Sequence, residues 1–173
     1  VAHVTFILGG CRSGKSGLAL KTARETTAAE RVFIATSIPF DEEMQDRVKR
    51  HRAERGAGWT TVEAPLTLPA AIAEHAREDR VLLADCLTLW VSNLLLDLQD
   101  PAKVEDRIPH LVRAVGSAPG AIILVSNEVG CGVVPDNRLA RQFRDLAGAA
   151  NQAIAAAAER VVWVVAGIPV HVK

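Results

Sequence analysis

The chain has 173 residues, 49% of them apolar, and its 20 Lys plus Arg are balanced by 20 Asp plus Glu. That length suits one ordinary domain with a sizeable core. A neutral chain gives no electrostatic ground for expecting DNA, RNA or an anionic membrane as partner, and with no tyrosine the stacking aromatics of an RNA reader are scarce.

Short β-branched runs alternate with longer helical stretches. VTFILGG (Val4 to Gly10) is apolar, ends in glycine and reads as a buried parallel strand. A helix is expected from Lys15 to about Thr27, with Leu18, Ala19 and Thr22 on one face. RVFIATS (Arg31 to Ser37) reads as a second buried strand, and the charged run from Asp41 to about Arg55 as a helix. A short extended piece, WTTVEAP, spans Trp59 to Pro65, and Leu68 to about Arg77 is helical. RVLLADC (Arg80 to Cys86) is a third core strand, with a helix from Leu87 to Leu98 after it. From Pro101 a polar connection leads to a helix near Val104 to Val115. AIILVSNE (Ala121 to Glu128) is a fourth core strand. The glycine-rich loop Val129 to Pro135 then leads to a long helix, about Asn137 to Glu159, with Asp136 as the expected cap. RVVWVVAG (Arg160 to Gly167) is the fifth strand; VVWVVA, GIP and VHVK read as a hairpin that lays a last strand antiparallel on the sheet.

The rhythm predicts a three-layer α/β domain over residues 1–173, mainly parallel, with right-handed crossovers and a C-terminal antiparallel hairpin strand. In such sheets ligands sit at the carboxyl ends of the strands.

Cys11, Cys86 and Cys131 are far apart and form no CxxC pair, which argues against a disulfide framework or a zinc site and for a reducing compartment. No apolar run reaches the roughly 18 residues of a membrane span. With no export signal visible, a cytoplasmic protein is expected.

The first strand runs into Gly9-Gly10-Cys11-Arg12-Ser13-Gly14-Lys15-Ser16, which matches G-x-x-x-x-G-K-[ST] between a strand and a helix. Such a P-loop turns successive backbone N–H groups, together with the positive end of the helix dipole, onto phosphate oxygens. Lys15 brings a point charge to the β and γ phosphates, and Ser16 a hydroxyl for Mg²⁺. A metal-side carboxylate is expected on a neighbouring strand. Asp85 is the first candidate, with helix capping as its other use. Glu128 is the second, for which a structural hydrogen bond serves as well.

Ala35, Thr36 and Ser37 end the second strand, where two hydroxyls suit phosphate, ribose or base, and equally a cap or turn. In DEEMQDRVKRHRAERG, Met44, Val48 and His51 fall on one helical stripe, among Arg47, Arg50, Arg52 and Arg55. Nearby cations disfavour imidazolium, so His51 is expected to be neutral and nucleophilic near pH 7. A neutral imidazole beside a phosphate site can attack phosphorus; packing in the protein interior is its other use. His3, His75, His110 and His171 read as structural or solvated. Arg138, Arg141 and Arg144 suit phosphates or a neighbouring subunit, or surface pairs such as Arg141 with Asp145.

The blocks GGCRSGKS, IATS, DEEMQDRVKRHRAERG, WTTVEAP, LLADCLTLWVSNLL, VSNEVGCGVVPDNRLARQFRDLAGAANQ and VVWVVAGIPVHVK together resemble one family. It is the bifunctional adenosylcobinamide kinase and adenosylcobinamide-phosphate guanylyltransferase family of cobalamin biosynthesis. The phosphate loop is unspecific; the block from Asn127 to Gln152 is the specific one.

The resemblance implies a P-loop NTPase-type fold and two reactions. A nucleoside triphosphate, ATP or GTP, phosphorylates the aminopropanol hydroxyl of adenosylcobinamide. GTP then donates GMP to adenosylcobinamide phosphate through a guanylylated histidine, which here is His51. It further implies nucleotide contacts from Gly9 to Ser16, from Ala35 to Ser37, from Arg52, Ala53, Glu54 and Arg55, and from Glu63 and Asp85. Mg²⁺ would sit at Ser16 and Asp85, and the enzyme would be a homotrimer. Family members often carry a histidine where this chain has Arg50, and Glu where it has Asp85. A simple P-loop kinase without covalent chemistry, or a nucleotide-dependent switch, are the competing readings; the second calls for a partner-binding extension or basic patch that this neutral chain does not offer.

Overall fold

Among the described residues seven strands form one sheet in the order β3-β2-β4-β5-β1-β6-β7. They are β1 (His3–Gly9), β2 (Glu30–Ala35), β3 (Trp59–Glu63), β4 (Arg80–Asp85), β5 (Ala121–Asn127), β6 (Arg160–Val165) and β7 (Ile168–His171). All neighbours pair parallel except β6 with β7. The structure, a computed structural model, describes residues 3–38, 42, 46, 49, 52, 53 and 55–173.

The helices are α1 (Lys15–Glu25), α2 (Leu68–His75), α3 (Leu87–Leu98), α4 (Pro101–Glu105), α5 (Ile108–Ser117) and α6 (Arg138–Ala157). They cover both faces of the sheet. On one face Ala19 and Ala23 of α1 pack against Ile7, Phe33, Leu83, Ile123 and Val125. On the other, α2 to α6 bury Leu68, Trp90, Leu111 and Ile154 over Phe6, Ile34, Leu82 and Leu124. This double cover is why β4 and β5 are continuously apolar rather than alternating. Each fully buried Ile or Leu there contributes about 1.5–3 kcal/mol.

Several boundaries differ from the sequence expectation. The stretch expected to give one helix near Val104 to Val115 is two helices: Asp100 caps α4 through the N–H of Ala102, and α5 begins around Pro109. Proline fits a first helical turn, where its missing N–H would be unpaired anyway. The cap of α6 is Asn137, whose Oδ1 accepts from Ala140 N–H at 2.8 Å, and not Asp136. The terminal hairpin is present, but its turn is Ala166–Gly167, and Pro169 lies within β7 opposite Val164. The outer strand tolerates that proline because it needs no further ladder donor. In the charged segment the described residues Glu42, Asp46, Lys49, Arg52, Ala53 and Arg55 are helical.

Candidate active site

The register lines up the carboxyl ends of the strands. Glu63 pairs with Ala35, Ala35 with Asp85, Asp85 with Val125, and Val125 with Ile7. Parallel partners point to one face, and Ile7 and Val125 lie in the core beneath α1. Glu63, Ala35 and Asp85 therefore edge the face that carries the phosphate loop.

That loop leaves β1 at Gly9 and enters α1 at Lys15. A side chain at Gly9 would strike Ser13 Oγ and come within 2.8 Å of the Val164 carbonyl, so only glycine lets the loop fold back this tightly. Gly14 is the N-cap of α1 at φ +95°, with no side-chain cap, which leaves the first N–H groups of the helix for a ligand. Lys15 is buried, and its ammonium donates to the Gly10 carbonyl at 3.0 Å. Ser16 is half-buried in the first turn, while Cys11 and Arg12 stand exposed at the tip.

Asp85 lies farther from this loop than expected: β4 is not the neighbour of β1, because β5 runs between them. It is not a helix cap either, since the N-cap of α3 is Cys86. Asp85 and Lys15 nevertheless share one neighbourhood. Burial and the Asp85 carboxylate push the Cys86 thiol up to about 12, while Lys15 pulls it down. On the Asp85 side the strand next to the loop is β5; there Glu128 N–H donates to the Gly9 carbonyl, and the Glu128 carboxylate accepts from Gly130 N–H at 3.3 Å.

Arg55 closes the far side. It is buried, with its guanidinium 3.7 Å above the Phe33 ring and its Nη2 donating to Thr61 Oγ1 at 3.4 Å. Phe33 in turn meets Trp59 edge to face. Burial and neighbouring Arg52 lower the Arg55 pKa, and Asp85 acts against them. Arg52 and Glu63 form an exposed ion pair at 3.3 Å. Loop, Asp85 and Arg55 thus ring one cradle that offers cations and N–H groups on two sides. His51 and Glu54, with Met44 and Val48, lie outside the described residues.

The Thr36 hydroxyl is taken up inside the protein. The residue is fully buried; its hydroxyl donates to the Cys86 carbonyl and accepts from Cys86 N–H, both at 2.8 Å. Both capacities go to bracing β2 on the end of β4, whereas Ser37 stays half-buried beyond it. Asn93 of α3, which sequence reasoning passed over, donates to the Thr36 and Pro65 carbonyls at 2.7 and 3.1 Å and ties those two strand ends together.

The glycine-rich block is held by a second unpredicted network. Asn127 N–H donates to Thr88 Oγ1 at 2.7 Å, Thr88 and Ser126 hydroxyls meet at 3.0 Å, and Ser126 donates to Asn151 Oδ1 at 2.7 Å. Asn151 Nδ2 closes the circuit on the Asn127 carbonyl at 3.3 Å. The signal was present as polar residues in otherwise apolar runs. Arg141 does not pair with Asp145; it donates to the Pro135 and Asp136 carbonyls at 3.0 and 2.7 Å, and Arg144 takes Asp145 at 3.6 Å.

Residues 5–172 match the family described as cobinamide kinase / cobinamide phosphate guanyltransferase. The chain is 49% identical over 168 residues to the bifunctional adenosylcobalamin biosynthesis protein CobP of Pseudomonas aeruginosa, covering 97% of this chain and 96% of that one. It is 41% identical to the bifunctional adenosylcobalamin biosynthesis protein CobU of Salmonella typhimurium, covering 97% and 98%. Among solved structures it resembles a type III secretion system ATPase of pathogenic bacteria at TM-score 0.58 and 14% identity, over 93% of this chain and 50% of that one. The type III secretion ATPase EscN of enteropathogenic E. coli gives TM-score 0.59 at 14% identity, over 95% and 43%. These likenesses show the P-loop ATPase fold.

Proposed function

Because the chain belongs to the cobinamide kinase / cobinamide phosphate guanyltransferase family, we infer that the cradle between the phosphate loop and Arg55 serves both reactions of a bifunctional enzyme of adenosylcobalamin biosynthesis. The enzyme is a kinase and a guanylyltransferase. One observation carries the site reading: Asp85 at the carboxyl end of β4, Lys15 in the loop and Arg55 over Phe33 share the α1 face of the sheet, and Asp85 acts electrostatically on Arg55.

In the first reaction the adenosylcobinamide hydroxyl attacks the γ-phosphorus of ATP or GTP, and a nucleoside diphosphate leaves. In the second, His51 attacks the α-phosphorus of GTP, pyrophosphate leaves, and adenosylcobinamide phosphate takes GMP from the imidazole. A loop that neutralises β and γ oxygens stabilises either leaving group. We assign that task to the Gly9–Ser16 backbone, Lys15 and Arg12. Ala35, Ser37, Arg52, Ala53, Glu54, Arg55, Glu63 and Asp85 complete the nucleotide site, with Thr36 acting by bracing Cys86. Carboxylates at Glu63 or Asp85 suit guanine, whose N1–H and N2 amino group both donate.

Ser16 and Asp85 fit a nucleotide-borne Mg²⁺, since a hydroxyl and a carboxylate on one face are hard oxygen donors of the kind that ion takes alongside phosphates and water. When bound, it would neutralise charge on the phosphate oxygens. Among the described residues no group of three or more His, Cys, Asp or Glu side chains is placed to hold a metal by itself.

The enzyme would act in the cytoplasm as one domain per chain; among the described residues no helix is long and apolar enough to cross a membrane. We also propose a homotrimer. The exposed apolar row of Trp163, Val165, Ile168 and Val170 on β6 and β7 supports a subunit contact there.

The test is labelling with [α-³²P]GTP. Acid-labile, base-stable label on the protein, lost in His51→Ala, is expected. Absence of label under turnover conditions overturns the histidine route and leaves a kinase that uses only the γ-phosphate.

A further inference from the structure

Asn127 ends β5, the strand that separates the phosphate-loop strand from the Asp85 strand. Its rung partner is Gly9, the first residue of the loop. Side chains alternate along a strand. Ile123 and Val125 lie in the core under α1, and Ser126 turns the other way to meet Asn151. Asn127 therefore falls on the face that holds the phosphate loop and Asp85.

Its backbone is fully occupied, the N–H by Thr88 and the carbonyl by Asn151. Its side-chain oxygen is not: among the described residues, Oδ1 is buried without a hydrogen-bond partner. A buried acceptor left unmatched is costly, and a network that fixes the residue from behind gives that acceptor a defined place. What it lacks is a donor. Phosphate oxygens cannot supply one; a hydroxyl or a metal-bound water can.

We propose that Asn127 is a further contact residue of the phosphoryl-transfer step, its Oδ1 accepting the O–H of a group held at the γ-phosphate end of the triphosphate. That group is the hydroxyl being phosphorylated or a water on the bound divalent cation. The proposal rests on the kinase reading above. Asn127 orients and takes no proton. The acceptor oxygen bonds to the γ-phosphorus, the bond from that phosphorus to the bridging oxygen breaks, the electron pair leaves with the diphosphate, and the hydroxyl proton passes to a phosphoryl oxygen.

The experiment measures phosphorylation of adenosylcobinamide from [γ-³²P]ATP and protein labelling from [α-³²P]GTP, with the full chain. Asn127→Ala is expected to lower kcat for phosphorylation about 10- to 100-fold, with the nucleotide KM changed less than about twofold. The loss in labelling should be at least about tenfold smaller, because that step breaks the bond at the α-phosphorus. Asn127→Asp, which keeps an oxygen acceptor, should recover part of the rate, and Asn127→Leu none of it. A raised KM for adenosylcobinamide assigns the hydroxyl as donor; a raised Mg²⁺ requirement assigns the water. Ser13 Oγ, the other buried unpartnered atom beside Gly9, provides the control. If Ser13→Ala matches the loss in Asn127→Ala and the double variant is no worse, the two atoms pair with each other and the proposal falls. Wild-type kcat in Asn127→Ala, or equal loss of both activities, overturns it too. A wild-type protein that fails to phosphorylate adenosylcobinamide would instead overturn the kinase reading itself.

Discussion

Gly167 donates its backbone N–H to the carbonyl of Ser13 at 2.8 Å, joining the turn of the C-terminal hairpin to the phosphate loop. The Gly167 Cα also sits 3.4 Å from where a side chain on Gly14 would begin. The last strand pair therefore braces the phosphate loop, although it follows the loop by some 150 residues in sequence. Ala166 and Gly167 have φ of 50° and 83°, the left-handed pair that a two-residue hairpin turn requires. Gly167→Val should cost about 1–2 kcal/mol through that conformation alone. The expected readout is a Tm lower by about 2–8 °C and a nucleotide KM raised severalfold. An unchanged KM would show that the turn does not shape the loop.

Lys15→Ala tests whether one cradle serves two reactions. The ammonium now rests on the Gly10 carbonyl inside the loop, where β and γ phosphates would replace that partner. Both phosphorylation and protein guanylylation should fall at least about 100-fold, the scale of removing one well-placed charge stabiliser. Full retention of either activity would argue for separate phosphate sites.

Much of this was legible in the sequence because local patterns carried it. The G-x-x-x-x-G-K-S spacing and the apolar runs of β1, β4 and β5 fixed the loop and the parallel core. What stayed hidden depends on contacts between distant segments. Strand order is non-local, so Asp85 looked like a neighbour of the loop when β5 intervenes. Thr36 suited a ligand and a cap or turn equally, because a hydroxyl at a strand end carries no mark of its partner, which here is Cys86. Asn127 and Asn151 stood in the same recognised block, yet nothing in their spacing announced a closed circuit through Thr88 and Ser126.

That circuit should be a stability element. Asn151→Leu removes the acceptor for Ser126 and the donor to the Asn127 carbonyl at once. Each buried group left unmatched costs about 1–3 kcal/mol, so a loss of about 2–6 kcal/mol is expected. For a chain of this size, that lowers Tm by roughly 4–24 °C. Thermal unfolding of the purified variant reads it directly, and a shift under 2 °C (roughly half the smallest expected shift) would mean that water replaces the amide without cost.

The three thiols should separate by reactivity. Cys11 and Cys131 are exposed, whereas Cys86 is buried beside Asp85 and pushed up from 9.0 to about 12. At pH 8 two thiols should react with a disulfide reagent in the folded protein, and the third only on unfolding. The same shift bears on stability. The unfolded chain loses the Cys86 proton first, so this contribution is intact below pH 9 and is lost progressively as pH rises toward 12. Rapid modification of Cys86 at pH 8 would contradict its placement.

Arg55 supplies the last prediction. It follows His51 by four residues in sequence and anchors the end of that segment. Among the described residues three contacts hold it: the face of Phe33, the Thr61 hydroxyl, and Arg24 Nη2, which donates to the Arg55 carbonyl at 3.2 Å. A planar guanidinium can stack and reach Thr61 together; an ammonium cannot do both. Arg55→Lys keeps the charge and loses the stack, worth about 1–2 kcal/mol for a desolvated cation on a ring. A Tm lower by about 2–8 °C is expected. If this anchor positions the histidine segment, labelling from [α-³²P]GTP should fall about tenfold while phosphorylation from the γ-phosphate falls less than about threefold. Equal losses in both reactions would make Arg55 a general contact of the nucleotide, and labelling at the wild-type rate would remove it from the guanylyl transfer altogether.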